Sequence, residues 1–265
     1  MYGRIIYGDQ RVFINSTELL GVTSFKGNFE IPIQYNRVLG SIYGSDEKSG
    51  PDTRKITINK YLIPNDPLRS LTGSNPFSGI LIYKNKNYSF NSGYLSNYSL
   101  SCAVGEISMV QTDFEIYGDM GGGIVMTPQN LNDQDLNLNV SHFGNINMQT
   151  SEGATNRIVS FDLSIDCPRI PIYTLGSNNA LDVSLNRPLE INLNIGVEID
   201  DYECNDIQAI LCGPNKDITL ELNNCDNTTI MESFTIPDAR LVSENLDSST
   251  SNATRVELTY KSYIY

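Results

Sequence analysis

Between residues 189 and 200 the chain alternates apolar and polar side chains without a break: Leu189-Glu190-Ile191-Asn192-Leu193-Asn194-Ile195-Gly196-Val197-Glu198-Ile199-Asp200. In an extended strand successive side chains point to opposite faces, so this run has one dry face and one wet face. The same grammar recurs in Leu20-Gly21-Val22-Thr23-Ser24-Phe25, where it is half-buried in character, and in Lys55-Ile56-Thr57-Ile58-Asn59-Lys60-Tyr61-Leu62. It returns in Asp162-Leu163-Ser164-Ile165-Asp166, in Ile218-Thr219-Leu220-Glu221-Leu222 and in the terminal run from Arg255 to Ile264. Abundant Tyr, Ile, Val and Thr favour strands, while Asn, Asp, Ser and Gly favour the turns between them. The expectation is an all-β protein whose sheets are dry on one face and solvated on the other.

Turn signals divide the strands. Ile80-Leu81-Ile82-Tyr83 and Tyr88-Ser89-Phe90 flank Lys84-Asn85-Lys86-Asn87 and read as a hairpin. A long ribbon follows from Gly93 to Ser101, then a strand from Ile107 to Tyr117. Pro64, Pro67, Gly73 and Pro76 predict a loop without regular structure. Gly121-Gly122-Gly123, with Pro128 close behind, suits a linker or a tight reversal. It lacks the Gly-Lys-Ser/Thr sequel and the strand–helix context of a phosphate-binding loop. One short helix is expected, over residues 205–211.

The chain also repeats itself, which bears on fold before any motif does. Ile31-Pro32-Ile33 leads to Leu39-Gly40-Ser41, and Ile170-Pro171-Ile172 leads to Leu175-Gly176-Ser177. A Ser-Phe pair precedes each: Ser24-Phe25 and Ser160-Phe161. A long alternating strand follows each, then a hairpin and a final strand, Phe114-Glu115-Ile116-Tyr117 against Leu258-Thr259-Tyr260. Two tandem β-sandwich or small-barrel domains are expected, 1–127 and 128–265. Each has a long hairpin and at most one short helix.

The halves differ in charge. Residues 1–127 hold 11 basic and 11 acidic side chains; residues 128–265 hold 7 basic and 20 acidic, and so carry the whole net charge of −13. That balance argues against binding nucleic acid by phosphate neutralisation and against an anionic membrane surface. The opening residues, Met1 to Asp9, lack the apolar stretch of a secretory leader, and no run reaches the roughly 18 apolar residues of a membrane span. Synthesis in a cytoplasm is expected. Cys102, Cys167, Cys204, Cys212 and Cys225 are odd in number, widely spaced and without a CxxC pair. Free, mostly buried thiols are expected, with one disulfide within the last three left open.

Two passages carry a family resemblance. Arg169-Ile170-Pro171-Ile172-Tyr173-Thr174-Leu175-Gly176-Ser177 sits between strands. Gly93-Tyr94-Leu95-Ser96-Asn97-Tyr98-Ser99 is followed by Val104-Gly105-Glu106 and a Phe-containing strand. Together they resemble the structural proteins of bacteriophage tails, the tail tube family in particular. The resemblance implies a virion protein, non-enzymatic and without cofactor or metal. It also implies subunits that stack as rings around a channel for DNA. With two fused tube domains, three subunits would form a pseudo-sixfold ring; a hexamer is the other arrangement. Partners would then be further copies, other tail proteins, and DNA that slides past without specific binding. An acidic lumen would repel phosphates, and Glu198, Asp200 and Asp201 are the candidates to face it. The long stretch 121–156 and the unequal charge of the halves depart from the family pattern. A distal-tail, baseplate or tail-completion protein would share these features.

Chemistry-bearing residues point to no catalytic, cofactor or metal site. His142 is the single histidine, set beside apolar residues on an expected strand. No Gly-x-Ser-x-Gly elbow accompanies it, and zinc spacing is missing. Asp133, Asp135, Asp200 and Asp201 lack calcium-loop spacing. The rival from another class is a receptor- or carbohydrate-binding sandwich, in which Tyr43, Tyr94 and Tyr98 would stack on sugars.

Overall fold

Strands buried on one face must find hydrogen-bond partners at their edges and a second apolar layer. The computed structural model describes residues 10–37, 39, 44–48, 50–83, 86–122, 138, 140–142, 144–150, 153–198, 214–223, 230–249 and 252–265. These residues form an all-β, sandwich-like fold of antiparallel strands. The first set is β1 (Gln10–Ile14), β2 (Thr17–Glu18), β3 (Val22–Glu30), β4 (Ile33–Arg37), β5 (Gly44–Lys48), β6 (Thr53–Tyr61), β7 (Phe77–Tyr83), β8 (Lys86–Ala103) and β9 (Met109–Ile116). A short β10 (Met120–Gly121) returns to pair with β8. The second set is β11 (Ile146–Thr150), β12 (Gly153–Thr155), β13 (Ile158–Asp166), β14 (Arg169–Ile172), β15 (Asp182–Leu185), β16 (Leu189–Glu198), β17 (Lys216–Asn223), β18 (Ile230–Ser249) and β19 (Asn252–Ile264).

The long strand β8 serves two layers. Its first half pairs with β7, which leads to β1 and β2. Its second half pairs with β9, which leads to β6 and β3. The layers close on an apolar core. Phe77 of β7 meets Phe90 at 5.8 Å and Phe114 of β9 at 4.9 Å, both edge to face. Ile56, Ile58, Leu95 and Phe114 are fully buried. Each such side chain contributes roughly 1.5–3 kcal/mol by leaving water.

The second set repeats the first, pairing for pairing. The order β2-β1-β7-β8-β9-β6-β3 is matched by β12-β11-β17-β18-β19-β16-β13, and the hairpin β4-β5 by β14-β15. Three bulges recur at equivalent places. Val22/Ser24 on β3 matches Ile158/Ser160 on β13. Phe77/Gly79 matches Lys216/Ile218, and Leu95/Asn97 matches Leu241/Ser243. A bulge places an unpaired residue in one strand and bends it, so its recurrence marks the same bend in both sets.

Register also corrects the alignment read from sequence. One offset of 136 residues (158 − 22) relates β1 to β4 with β11 to β14, together with the tips at Leu39 and Leu175. It puts Pro32 with Pro168 and Ile33 with Arg169, so the two Ile-Pro-Ile runs are three residues out of step. At the final strand Phe114 corresponds to Tyr260, not to Leu258. Ile-Pro-Ile misleads because an extended edge hairpin accepts many apolar residues, whereas the bulges hold the true phase.

Other expectations shift as well. The proline-rich stretch contains a 3-10 helix, Pro67–Thr72, with Pro67 in the first turn and Asp66 capping it by accepting from Leu68 N at 3.2 Å. Gly121 of the expected linker is part of β10. β18 runs for 20 residues although Pro237 interrupts its pattern. The helix expected over 205–211, Gly123 and the boundary at 127/128 lie outside the described residues. The two strand sets share one continuous core and one sheet path.

Candidate assembly surface

The two sets meet strand to strand. After its bulge β8 leaves β7, and β13 takes over that edge, from Asn97↔Asp166 to Ala103↔Ser160. Leu100 stands opposite Leu163, both buried, and Tyr98 stands opposite Ile165. The ladder extends at both ends through Val104 N to Val159 O and Cys167 N to Ser96 O, each 2.8 Å. Asn97 Nδ2 donates to Asp166 Oδ1 on the solvated face. Away from the seam, Arg69 of the 3-10 helix donates to Glu232 at 3.0 Å and to Ser233 O at 2.7 Å, and covers the Phe234 ring.

Among the described residues the repetition leaves the same two edges without a strand partner at the far ends. β18 corresponds to β8, but among the described residues its stretch from Arg240 onward pairs only with β19. β3 corresponds to β13 and, among the described residues, pairs only with β6. Exposure follows. Phe161 and Leu163 of β13 are buried, whereas Phe29 of β3 is 63% exposed and Leu246 of β18 is 51% exposed.

The wet faces of β6, β9, β8, β13 and β16 form one polar surface across the seam. It holds a shallow groove of about 450 Å³, lined among others by Ser99, Ser101, Gln111, Asp162, Asn192 and Asn194. Its character comes from alternation, since Leu100, Leu163, Leu193 and Ile195 between these residues all point into the core. Two cations on the same face are paired with carboxylates. Lys261 Nζ donates to Glu190 at 2.7 Å, and this bond holds the Glu190 carboxyl below its usual range. Glu198 lies on this face, 3.8 Å from Arg255. Asp200 and Asp201 lie outside the described residues.

No family model and no curated protein matches the chain.

The residues considered for other chemistry are scattered. His142 is exposed in a turn, not on a strand, with its carbonyl accepting from Asn145 N at 3.1 Å. Tyr94 and Tyr98 are buried, at 8% and 0% exposure, so neither ring offers a face to a sugar. Tyr43, Asp133, Asp135, Cys204, Cys212 and Cys225 lie outside the described residues. Cys102 and Cys167 are free and buried. Among the described residues no three His, Cys, Asp or Glu side chains gather to hold a metal ion. No helix among them is long and apolar enough to cross a membrane.

Two polar clusters were not anticipated from the sequence. Lys60 Nζ donates to Asp66 Oδ1 at 2.8 Å, both side chains essentially fully buried, and Tyr98 OH donates to Asp66 Oδ2 at 3.3 Å. Burial, then the Asp66 charge, pushes the Tyr98 hydroxyl far above its ordinary value. Arg169 donates through Nε and Nη2 to Leu95 O, at 3.0 and 2.9 Å, and lies over the Tyr94 ring. It ties β14 onto β8. One signal for the first cluster was Asp66-Pro67, a cap followed by a first-turn proline. A second was parity: Lys60 shares the dry face of its strand with Ile56, Ile58 and Leu62, whereas Lys55, Thr57 and Asn59 point the other way.

Proposed function

We propose that this chain is a structural virion protein that assembles into rings, the building unit of a phage tail tube. One observation carries the reading: two strand sets with the same pairings are joined by a seam whose two edges, among the described residues, have no strand partner at the far ends. A chain built this way adds further copies by repeating a contact it already contains. Such head-to-tail contacts close into rings when the rotation allows. The resemblance of the Arg169–Ser177 and Gly93–Ser99 passages to tail tube proteins supports the same role.

The polar face supports it too. Its exposed side chains are mostly Ser, Asn, Gln and carboxylates; Lys261 and Arg255 of the neighbouring β19 are paired with Glu190 and Glu198, and Lys55 of β6 is exposed. A wall of this kind gives DNA phosphates little to bind. The reading asks for no catalytic group, cofactor or metal.

Negative-stain microscopy and sedimentation of the purified protein test it. Rings or stacked tubes are expected, with no retardation of double-stranded DNA at physiological salt. A chain that stays monomeric at tens of micromolar would overturn the reading. Single rings that never stack would move the assignment to a distal-tail or baseplate ring.

A further inference from the structure

The internal seam predicts the external one residue by residue. We infer that β18 of one copy pairs antiparallel with β3 of the next, in the register of the β8–β13 seam. This rests on the ring reading and adds its contact.

The register follows from the two sets of equivalent bulges. Within the chain Asp162 pairs with Ser101, Leu163 with Leu100 and Asp166 with Asn97. Asp162 corresponds to Lys26, Leu163 to Gly27 and Asp166 to Glu30. Ser101 corresponds to Asp247, Leu100 to Leu246 and Asn97 to Ser243. Between copies, Lys26 therefore faces Asp247, Gly27 faces Leu246 and Glu30 faces Ser243.

Three features favour a second copy as the occupant. The first is charge: Lys26 and Asp247 are opposite in sign, exposed and directly opposed on the wet face. No like charges are opposed from Ser24 to Glu30. The second is the apolar side. Phe29 and Leu246 point to the side that holds the core and are exposed, whereas their counterparts in the internal seam are half-buried (Ile165) and fully buried (Leu100). The third is the edges. An uncovered strand edge is a template for another strand, and neither stretch carries a proline to block pairing. Each added copy repeats the same step, so n copies make a closed wall of 2n equivalent seams, half within chains and half between them.

Charge reversal and cross-linking test the register. Lys26→Asp and Asp247→Lys should each weaken assembly about tenfold or more in sedimentation, and the double reversal should restore it. Circular dichroism of each variant checks that the exposed substitutions leave the fold intact. Independently, Lys26→Cys/Asp247→Cys should give a ladder of covalent oligomers on oxidation, because opposed strand positions lie within disulfide reach. Lys26→Cys/Ser243→Cys, four positions out of register, should not. Wild-type rings with unaffected single reversals and no ladder would overturn this seam and leave the ring reading standing. A wild-type chain that never assembles would overturn both.

Discussion

Ser92 and Asp238, 146 positions apart (238 − 92), hold the same left-handed backbone conformation, with φ of 50° and 53°. Each lies within the long strand of its set, β8 or β18, inside the bulge where the strand parts from β7 or β17. The left-handed residue absorbs the extra position and turns the strand from one layer into the other. It is the hinge of the sandwich, made twice.

A β-branched residue resists this conformation. Ser92→Val and Asp238→Val should each cost about 1–2 kcal/mol in urea unfolding. Ser92→Gly should stay within about 0.5 kcal/mol of the parent, since glycine accepts positive φ but loosens the unfolded chain. A tolerated valine would show that the bulge relaxes elsewhere.

The Lys60–Asp66 pair is enclosed on all sides. Lys60→Met leaves a buried carboxylate without its counter-charge and should cost about 3–5 kcal/mol. Lys60→Met/Asp66→Asn should recover much of that loss, because a neutral amide keeps the cap on the 3-10 helix. Denaturant midpoints of the single and double variants provide the comparison.

Gly79 is a close-approach glycine. A Cβ there would meet the Phe90 ring at 2.5 Å and Ile14 at 2.8 Å. Gly79→Ala should destabilise by about 1–3 kcal/mol through overpacking between β7, β8 and β1. Thermal unfolding by circular dichroism reads it directly.

Burial pushes the Cys167 thiol up to about 11 from its ordinary 9.0. The folded form therefore holds this proton more tightly than the unfolded form. Its stabilising contribution is complete below about pH 9 and is lost as the pH rises through 9 to 11. Urea midpoints should fall between pH 8.5 and 11, and Cys167→Ala should flatten part of that fall. In the folded protein at pH 8, iodoacetamide should spare Cys102 and Cys167, as mapped by peptide mass spectrometry.

The sequence alone determined the strands whose two faces differ. Ile56 and Ile58, or Leu189 through Val197, alternate because each strand separates core from water, and that pattern is local. It also carried the duplication, since turns, Ser-Phe pairs and Leu-Gly-Ser tips recur along the chain. It held the phase of the repeat too, in the Ser-Phe pairs and the Leu-Gly-Ser tips, both 136 residues apart (160 − 24, 175 − 39), but the Ile-Pro-Ile runs obscure that phase, because a run on an exposed hairpin is not held by packing. It missed β18 as one strand because Pro237 and Asp238 break the alternation where the bulge sits. Tertiary structure decided what depends on distant partners. Lys60 and Tyr98 sit on the core faces of their strands, and only the fold shows that Asp66 reaches both and satisfies their polar ends. Above all, the pairing of β8 with β13 shows which edges are used inside the chain and which, on β18 and β3, have no strand partner among the described residues. Hydrogen bonding between strands is indifferent to side-chain type along most of their length, so only the fold reveals where one edge meets another.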